Sequence, residues 1–310
     1  MKKIKLYLLT GFLGAGKTTV LKEILKSDPN QKIGIIMNEF GKTGIDGGLV
    51  SDRSTELIEI NRGSIFCDCL KLSFIESLKD MADKPIDHLF VEGSGLADPS
   101  NIGEILDAAQ SLVGDTYDYR GSICVVDAPH FMEQSEDIEA MNRQVRFSHL
   151  AVISKTDLVD QKQIDLVSER IRSFNSTIRI EETDMGKIGF DVLKTDLTEG
   201  QEIQTMDTTN KKENKPKTLT LNIFETVNKS SLDTFLTELS KDAYRMKGFV
   251  ELKDEGFMQV DVVNGRIDYK KIEAKKETQI VILSKIGPSI IKSIVGVWES
   301  QVGADYKLRN

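Results

Sequence analysis

Gly11-Phe-Leu-Gly14-Ala15-Gly16-Lys17-Thr18 decides the fold. It matches the pattern GxxxxGK[ST], and the segments on either side give that pattern its meaning. Before it, Lys5 to Thr10 reads as a short buried strand. After it, Val20, Leu21, Ile24 and Leu25 recur at helical spacing. In a strand–loop–helix setting the glycines let the backbone wrap a phosphate chain without Cβ clashes. Main-chain N–H groups and the helix N-terminus then point at negative charge. Gly11, Gly14, Ala15, Gly16, Lys17, Thr18 and Thr19 are therefore the expected phosphate-binding residues. Lys17 is expected to reach the β- and γ-phosphates, and Thr18 to give its hydroxyl to Mg2+. An incidental lysine in a Gly-rich turn is the competing reading, and eight matching positions with the correct flanks disfavour it.

Lys32 to Met37, Leu57 to Ile60, His88 to Val91, Ile123 to Val126 and Leu150 to Ile153 are further strand candidates. Phe74 to Met81, Ile102 to Leu112 and Gln163 to Ile171 carry helical patterns. Strands alternating with helices predict an α/β P-loop NTPase domain, a mainly parallel sheet with helices on both faces. The alternation breaks after Leu197. Glu199-Gly-Gln-Glu and Asp207 to Lys217 hold almost nothing to bury and read as a polar linker. Beyond it, Thr218 to Phe224, Gly248 to Leu252, Phe257 to Val263 and Gln279 to Leu283 look like strands. Leu232 to Leu239 and Ile286 to Trp298 look helical, which makes a small α+β C-terminal domain. The expected organisation is a P-loop domain over 1–197, a linker over 198–217 and the second domain over 218–310.

Composition sets outer bounds. The 310 residues carry 41 Lys plus Arg against 49 Asp plus Glu, a formal charge of −8, with 39% hydrophobic and 29% charged residues. These values exclude a chain disordered throughout and a disulfide scaffold. A net acidic chain is also a poor binder of nucleic acid, which takes many Lys and Arg contacts to phosphate. Cys67, Cys69 and Cys124 are the three cysteines, a usage that fits a reducing compartment and hence the cytoplasm. No apolar run approaches the roughly 18 residues of a membrane span. Met1 to Lys5 followed by Leu6 to Leu9 imitates a signal peptide, but the apolar run stops at Thr10. A buried first strand explains it better.

Two further motifs speak to chemistry. Ala151-Val-Ile-Ser154-Lys155-Thr156-Asp157 follows a buried strand and is close to NKxD, with Ser in place of Asn. Guanine presents N1–H and a 2-amino group, two donors that the single Asp157 carboxylate can accept together. Adenine lacks that pair. The Lys155 stem can lie over the base plane. GTP is therefore the expected nucleotide, although a Lys-x-Asp turn capping the next helix would share the pattern. Phe90-Val-Glu92-Gly-Ser-Gly95-Leu-Ala-Asp98-Pro99 ends another buried run. Glu92 is placed to hold a Mg2+-bound water or to orient the attacking one, and the Gly95 N–H can approach a γ-phosphate. Lys17 and Glu92 are thus the expected catalytic residues.

GFLGAGKTT, NEFGKTGID (38 to 46), VEGSGLADP (91 to 99) and SKTD, in this order, resemble the CobW family of metal-trafficking GTPases. In that P-loop class Glu replaces the usual Asp of the third GTPase motif. Arg245-Met-Lys-Gly-Phe249 and the final segment resemble the family's C-terminal domain. The resemblance implies slow GTP hydrolysis coupled to delivery of a metal to a client protein. It makes 38–46 a switch loop and Asp127 a strand-end family residue.

The chain departs from the family at its GCxCC cluster. Here the stretch reads Arg62-Gly-Ser64-Ile-Phe66-Cys67-Asp68-Cys69, so Ser64 and Phe66 stand at two expected cysteines. With only His88, His130 and His149, a His-rich metal store is absent as well. In an extended loop Cys67 and Cys69 face one side and suit Zn2+ or Co2+, while two ligands do not complete a tetrahedral site. Glu39, Asp68 or a second subunit are candidates for the remainder, so a homodimer is one expected form. Two reduced thiols packed near the sheet are the bland alternative. The leading functional expectation is a GTP-driven metallochaperone serving a client metalloprotein. A GTP-dependent chaperone or reactivator of a metallo- or corrinoid enzyme, without metal transport, is the second, and a P-loop small-molecule kinase the third.

Overall fold

The computed structural model describes residues 3–27, 30–38, 55–60, 71–184, 186–188, 190–194, 196–200, 217–275 and 278–309. The chain divides into two units, Met1–Asn214 and Lys215–Asn310. In the first, β1 (Ile4–Gly11), β2 (Ile33–Asn38), β3 (Thr55–Ile60), β4 (His88–Glu92), β5 (Tyr117–Asp127), β6 (Leu150–Ser154) and β7 (Arg179–Glu182) form one sheet. Its order is β3-β2-β4-β1-β5-β6-β7, and every neighbouring pair is parallel.

The apolar runs are continuous because the sheet is covered on both faces. Leu6 and Leu8 of β1 join a core with Phe74 and Leu78 of α2 (Lys71–Ala82) and Ile102 and Ile105 of α3 (Ile102–Val113). Their neighbours Tyr7 and Leu9 join the other core, with Val20, Leu21 and Ile24 of α1 (Lys17–Ser27). Three more helices, α4 (Phe131–Asp137), α5 (Glu139–Arg146) and α6 (Gln161–Phe174), complete this unit among the described residues. The strand order reverses beside β1, and such switch points are where open α/β sheets bind ligands, at the carboxyl ends of the strands. Gly11, Glu92, Asp127 and Ser154 end β1, β4, β5 and β6.

Away from that edge, β5 bulges against β1 between Leu6 and Tyr7, where Gly121 lies beside the ring of His149. His149 is buried, and its Nδ1 accepts the Ser122 N–H at 3.1 Å, which fixes a neutral ring. Burial lowers its pKa from the ordinary 6.5, against the opposing pull of Asp196. A lowered folded-state pKa means that the unfolded chain takes up the proton more readily. Stability is therefore full above about pH 6.5 and declines as the pH falls below it. The thermal midpoint is expected to drop between about pH 7.5 and 5.5, and to drop less in a His149→Gln variant. Equal drops in the two proteins would contradict this.

The second unit has a six-stranded antiparallel sheet. Its strands are β8 (Thr218–Ile223), β9 (Ala243–Leu252), β10 (Gly256–Val263), β11 (Arg266–Lys271), β12 (Thr278–Ser284) and β13 (Tyr306–Arg309), in the order β11-β10-β9-β12-β8-β13. Leu232, Phe235 and Leu236 of α7 (Lys229–Leu239) and Ile290, Ile294 and Trp298 of α8 (Ile290–Gln301) cover the apolar positions of these strands. Trp298 meets Phe235 edge-on at 4.9 Å and donates its indole N–H to the Ala304 carbonyl at 2.8 Å. The helix expected from Ile286 begins at Ile290, because Pro288 lies in a separate short turn over Gly287–Ser289. Among the described residues no helix is long and apolar enough to cross a membrane.

Candidate functional site

The phosphate loop leaves β1 at Gly11, whose φ is +134°. A Cβ there would lie 2.3 Å from the Val125 carbonyl oxygen, so only glycine fits this close approach to β5. Gly14 and Gly16 hold left-handed φ values of 76° and 96°, and the Ala15 N–H donates to the Phe12 carbonyl at 3.2 Å. The loop curls tightly into the first turn of α1. Lys17 opens that helix, and its ammonium donates to the carbonyls of Gly11 at 2.8 Å and Phe12 at 3.1 Å. With only 8% of Lys17 exposed, its charge is held inside the loop. Thr19 in the same turn is exposed. Behind the loop Cys124 is core, its thiol pushed up to about 12 by burial, with Lys17 pulling the other way.

Thr18 and Glu92 meet across the ends of α1 and β4. The Thr18 hydroxyl donates to the Glu92 carboxylate, 3.0 Å from Oε1 and 3.4 Å from Oε2. Glu92 is buried. A hydroxyl and a carboxylate at the mouth of a phosphate loop form an oxygen-only set, which suits a hard cation such as Mg2+. Three residues on, Gly95 is pressed against the phosphate loop. A Cβ there would fall 2.7 Å from the Leu13 backbone nitrogen and 2.5 Å from its side chain. The need for glycine at 95 thus has a packing cause that sequence reasoning did not anticipate.

At the far side of the loop Ser154 donates its hydroxyl to the Ala15 carbonyl at 2.6 Å, with the Val126 carbonyl a second acceptor at 3.1 Å. The serine therefore ties the end of β6 to the phosphate loop. Lys155 takes a left-handed φ of 59°. For a non-glycine residue this costs about 1–3 kcal/mol and is typical of functional sites. Its ammonium reaches the buried Asp127 at 2.7 Å, and Asp127 also meets His130 Nδ1 at 3.2 Å. Asp157 follows in a short turn over Thr156–Leu158 and is exposed, beside a Leu158 that is 63% exposed.

Lys17, Thr18, Glu92, Gly95 and Ser154 are thus gathered around one loop, and Lys155 and Asp157 extend from its edge. Glu39, Cys67 and Cys69 lie outside the described residues. Among the described residues no group of three or more His, Cys, Asp or Glu side chains gathers to hold a metal.

The family model for the CobW/HypB/UreG nucleotide-binding domain matches residues 5–181. The chain belongs to the CobW/HypB/UreG family. A second model, the C-terminal domain of the cobalamin synthesis protein CobW, matches residues 217–292. Among curated relatives of this CobW/HypB/UreG member is the zinc chaperone YjiA of Escherichia coli strain K12. It is 33% identical over 200 residues, covering 62% of this chain and 61% of the relative. The zinc chaperone CobW of a Sinorhizobium species is 30% identical over 203 residues, covering 56% and 57%. The zinc-regulated GTPase metalloprotein activator 1 of Dictyostelium discoideum is 27% identical over 215 residues, covering 58% and 45%. In each case the chain spans less than two thirds of the relative's own length. A Zn(II)-bound triple mutant of the YjiA GTPase shares the fold. It has a TM-score of 0.50 at 24% identity, covering 96% of this chain and 99% of that one.

Proposed function

We propose that this protein is a GTP-binding, GTP-hydrolysing metallochaperone that uses its nucleotide state to pass a transition metal to a client metalloprotein in the cytoplasm. The observation that carries the enzymatic part is the meeting of Lys17, Thr18 and Glu92 at the ends of β1 and β4. Lys17 neutralises phosphate charge within the loop, and the backbone N–H groups of Gly14 and of Gly16 to Thr19 bind the phosphate oxygens. Thr18 and Glu92 would hold Mg2+, which when bound neutralises charge on the β- and γ-phosphates. Glu92 also orients the attacking water, and the Gly95 N–H faces the γ-phosphate. Ser154, Lys155 and Asp157 form the base side, with the carboxylate of Asp157 accepting both guanine donors. The relatives above are zinc chaperones and a zinc-regulated activator, which favours Zn2+ over Co2+ as cargo. Cys67, Cys69 and Glu39 are the proposed cargo ligands, with a homodimer as one route to a complete set.

The nucleotide part has a direct test. GTP is expected to displace a fluorescent GDP at least about 100-fold more strongly than ATP does, since a site built to hydrogen-bond a group rejects its analogue lacking it. Equal displacement would defeat the base reading and favour a P-loop small-molecule kinase. A GTP-dependent client chaperone without metal transport is supported by one observation. Only Cys67 and Cys69 remain where Ser64 and Phe66 replace further thiols. Client activation that survives Cys67→Ser with Cys69→Ser would select it.

A further inference from the structure

Arg143 and Gln144 of α5 belong to none of the motifs above. Yet both are buried, at 8% and 1% exposed. Burying a guanidinium or an amide is costly unless its hydrogen bonds are satisfied. Here those bonds converge on one segment, the one that follows Glu92. Gln144 Nε2 donates to the carbonyls of Gly95 at 3.2 Å and Ala97 at 2.9 Å. Arg143 donates from Nε to Asp98 Oδ2 at 2.8 Å and from Nη2 to Ser100 Oγ at 3.0 Å. The other Asp98 oxygen accepts the Ser100 N–H at 3.1 Å, capping the turn over Pro99–Asn101. Gln144 is itself braced, because the Ser148 hydroxyl donates to its carbonyl at 2.7 Å. Both oxygens of the Asp98 carboxylate are thus engaged, one by Arg143 of α5 and one by the Ser100 N–H.

Gly95 then carries the constraint to the reacting centre. Its Cα rests on Leu13 of the phosphate loop so closely that no Cβ fits. Glu92, three residues before it, is fixed at its other end by β4 and by Thr18. A fixed path thus runs from α5 through Gly95 to the phosphate loop. All its bonds are internal to the protein, so no nucleotide is required to make them.

We propose that Arg143 and Gln144 are positioning residues for GTP hydrolysis, holding Gly95 to Asp98 against the phosphate loop in both nucleotide states. This rests on the GTPase reading above. The segment thus stays fixed through hydrolysis, and Glu92 is preorganised.

Gln144→Leu removes both donors at similar volume. Its kcat for GTP is expected to fall at least about 10-fold, while the KM for GTP and the affinity for GDP stay within about twofold. Arg143→Lys, which keeps the charge against Asp98, is expected to retain more kcat than Arg143→Met. An unchanged kcat in Gln144→Leu, or KM and GDP affinity shifting as much as kcat, would overturn the proposal. Should the variants fail to fold, amide exchange in the wild type decides. Residues 93–100 are expected to be equally protected with GDP and with a non-hydrolysable GTP analogue, and protection only with the analogue would overturn the proposal. A wild-type protein that turns over no GTP would sink the GTPase reading and this inference with it. Turnover in the wild type with unaffected variants would sink the inference alone.

Discussion

Lys17→Met is expected to lower GTP hydrolysis by about 100- to 1,000-fold, the usual loss when one preorganised group facing developing charge is removed. The lysine is buried, and its ammonium is bound to the Gly11 and Phe12 carbonyls. Its charge is thus already in place and needs no rearrangement when phosphate arrives. Methionine fills similar space without leaving a buried cation, so the melting temperature is expected to stay close to that of the wild type. GTP affinity should fall as well, because the same charge faces the ground-state phosphates. Single-turnover hydrolysis with a parallel melt checks both points. Wild-type turnover in a folded Lys17→Met protein would refute the assignment of the phosphate loop.

Glu92→Gln tests the second half of the centre. The amide keeps the size of the side chain and an acceptor for the Thr18 hydroxyl, now 3.0 Å away, but removes the negative charge. Turnover at saturating Mg2+ is expected to fall about 100-fold, with a higher Mg2+ concentration at half-maximal rate. GDP affinity measured without Mg2+ should change little, since Glu92 is assigned to the cation and the attacking water. A variant with unchanged turnover and unchanged Mg2+ dependence would leave Glu92 as a packing partner of Thr18 only. The two substitutions are in contact through α1, so their effects are not expected to add.

The parts of this centre that could be read from the sequence are those where covalent order dictates geometry. A strand, a Gly-rich loop and a helix in succession place Gly11 to Thr18, and a strand-end acid places Glu92. The long buried strands were also legible, because Leu6 to Leu9 or Leu150 to Ile153 can be continuous only in a sheet covered on both faces. Three of the four edge strands were not. Arg179–Glu182, Arg266–Lys271 and Tyr306–Arg309 are largely polar or half-exposed and show no apolar run. Their identity comes from pairing with β6, β10 and β8. The start of β5 was likewise hidden, since Tyr117 to Arg120 carry two aromatic and two charged residues across a bulge.

Tertiary polar contacts were the least legible. Arg143-Gln144 looks like any exposed pair on a short helix, and only the fold reveals that both point at the segment after Glu92. Lys155 is expected to lay its stem over the base plane. Its ammonium is anchored on Asp127, a partner 28 positions away that no local pattern could supply. Ser154 reads as a shortened Asn, and its contact with the Ala15 carbonyl depends on the end of β6 meeting the phosphate loop, 139 positions away in the chain.

The central claim is that nucleotide state governs metal handling, and it can be tested without any variant. The Zn2+ affinity of the wild-type protein should be measured by competition with a chromophoric chelator, once with GDP and Mg2+ and once with a non-hydrolysable GTP analogue and Mg2+. The two affinities are expected to differ at least about 10-fold, equivalent to about 1.4 kcal/mol of coupling between the two sites. Equal Zn2+ affinities in the two states would contradict it.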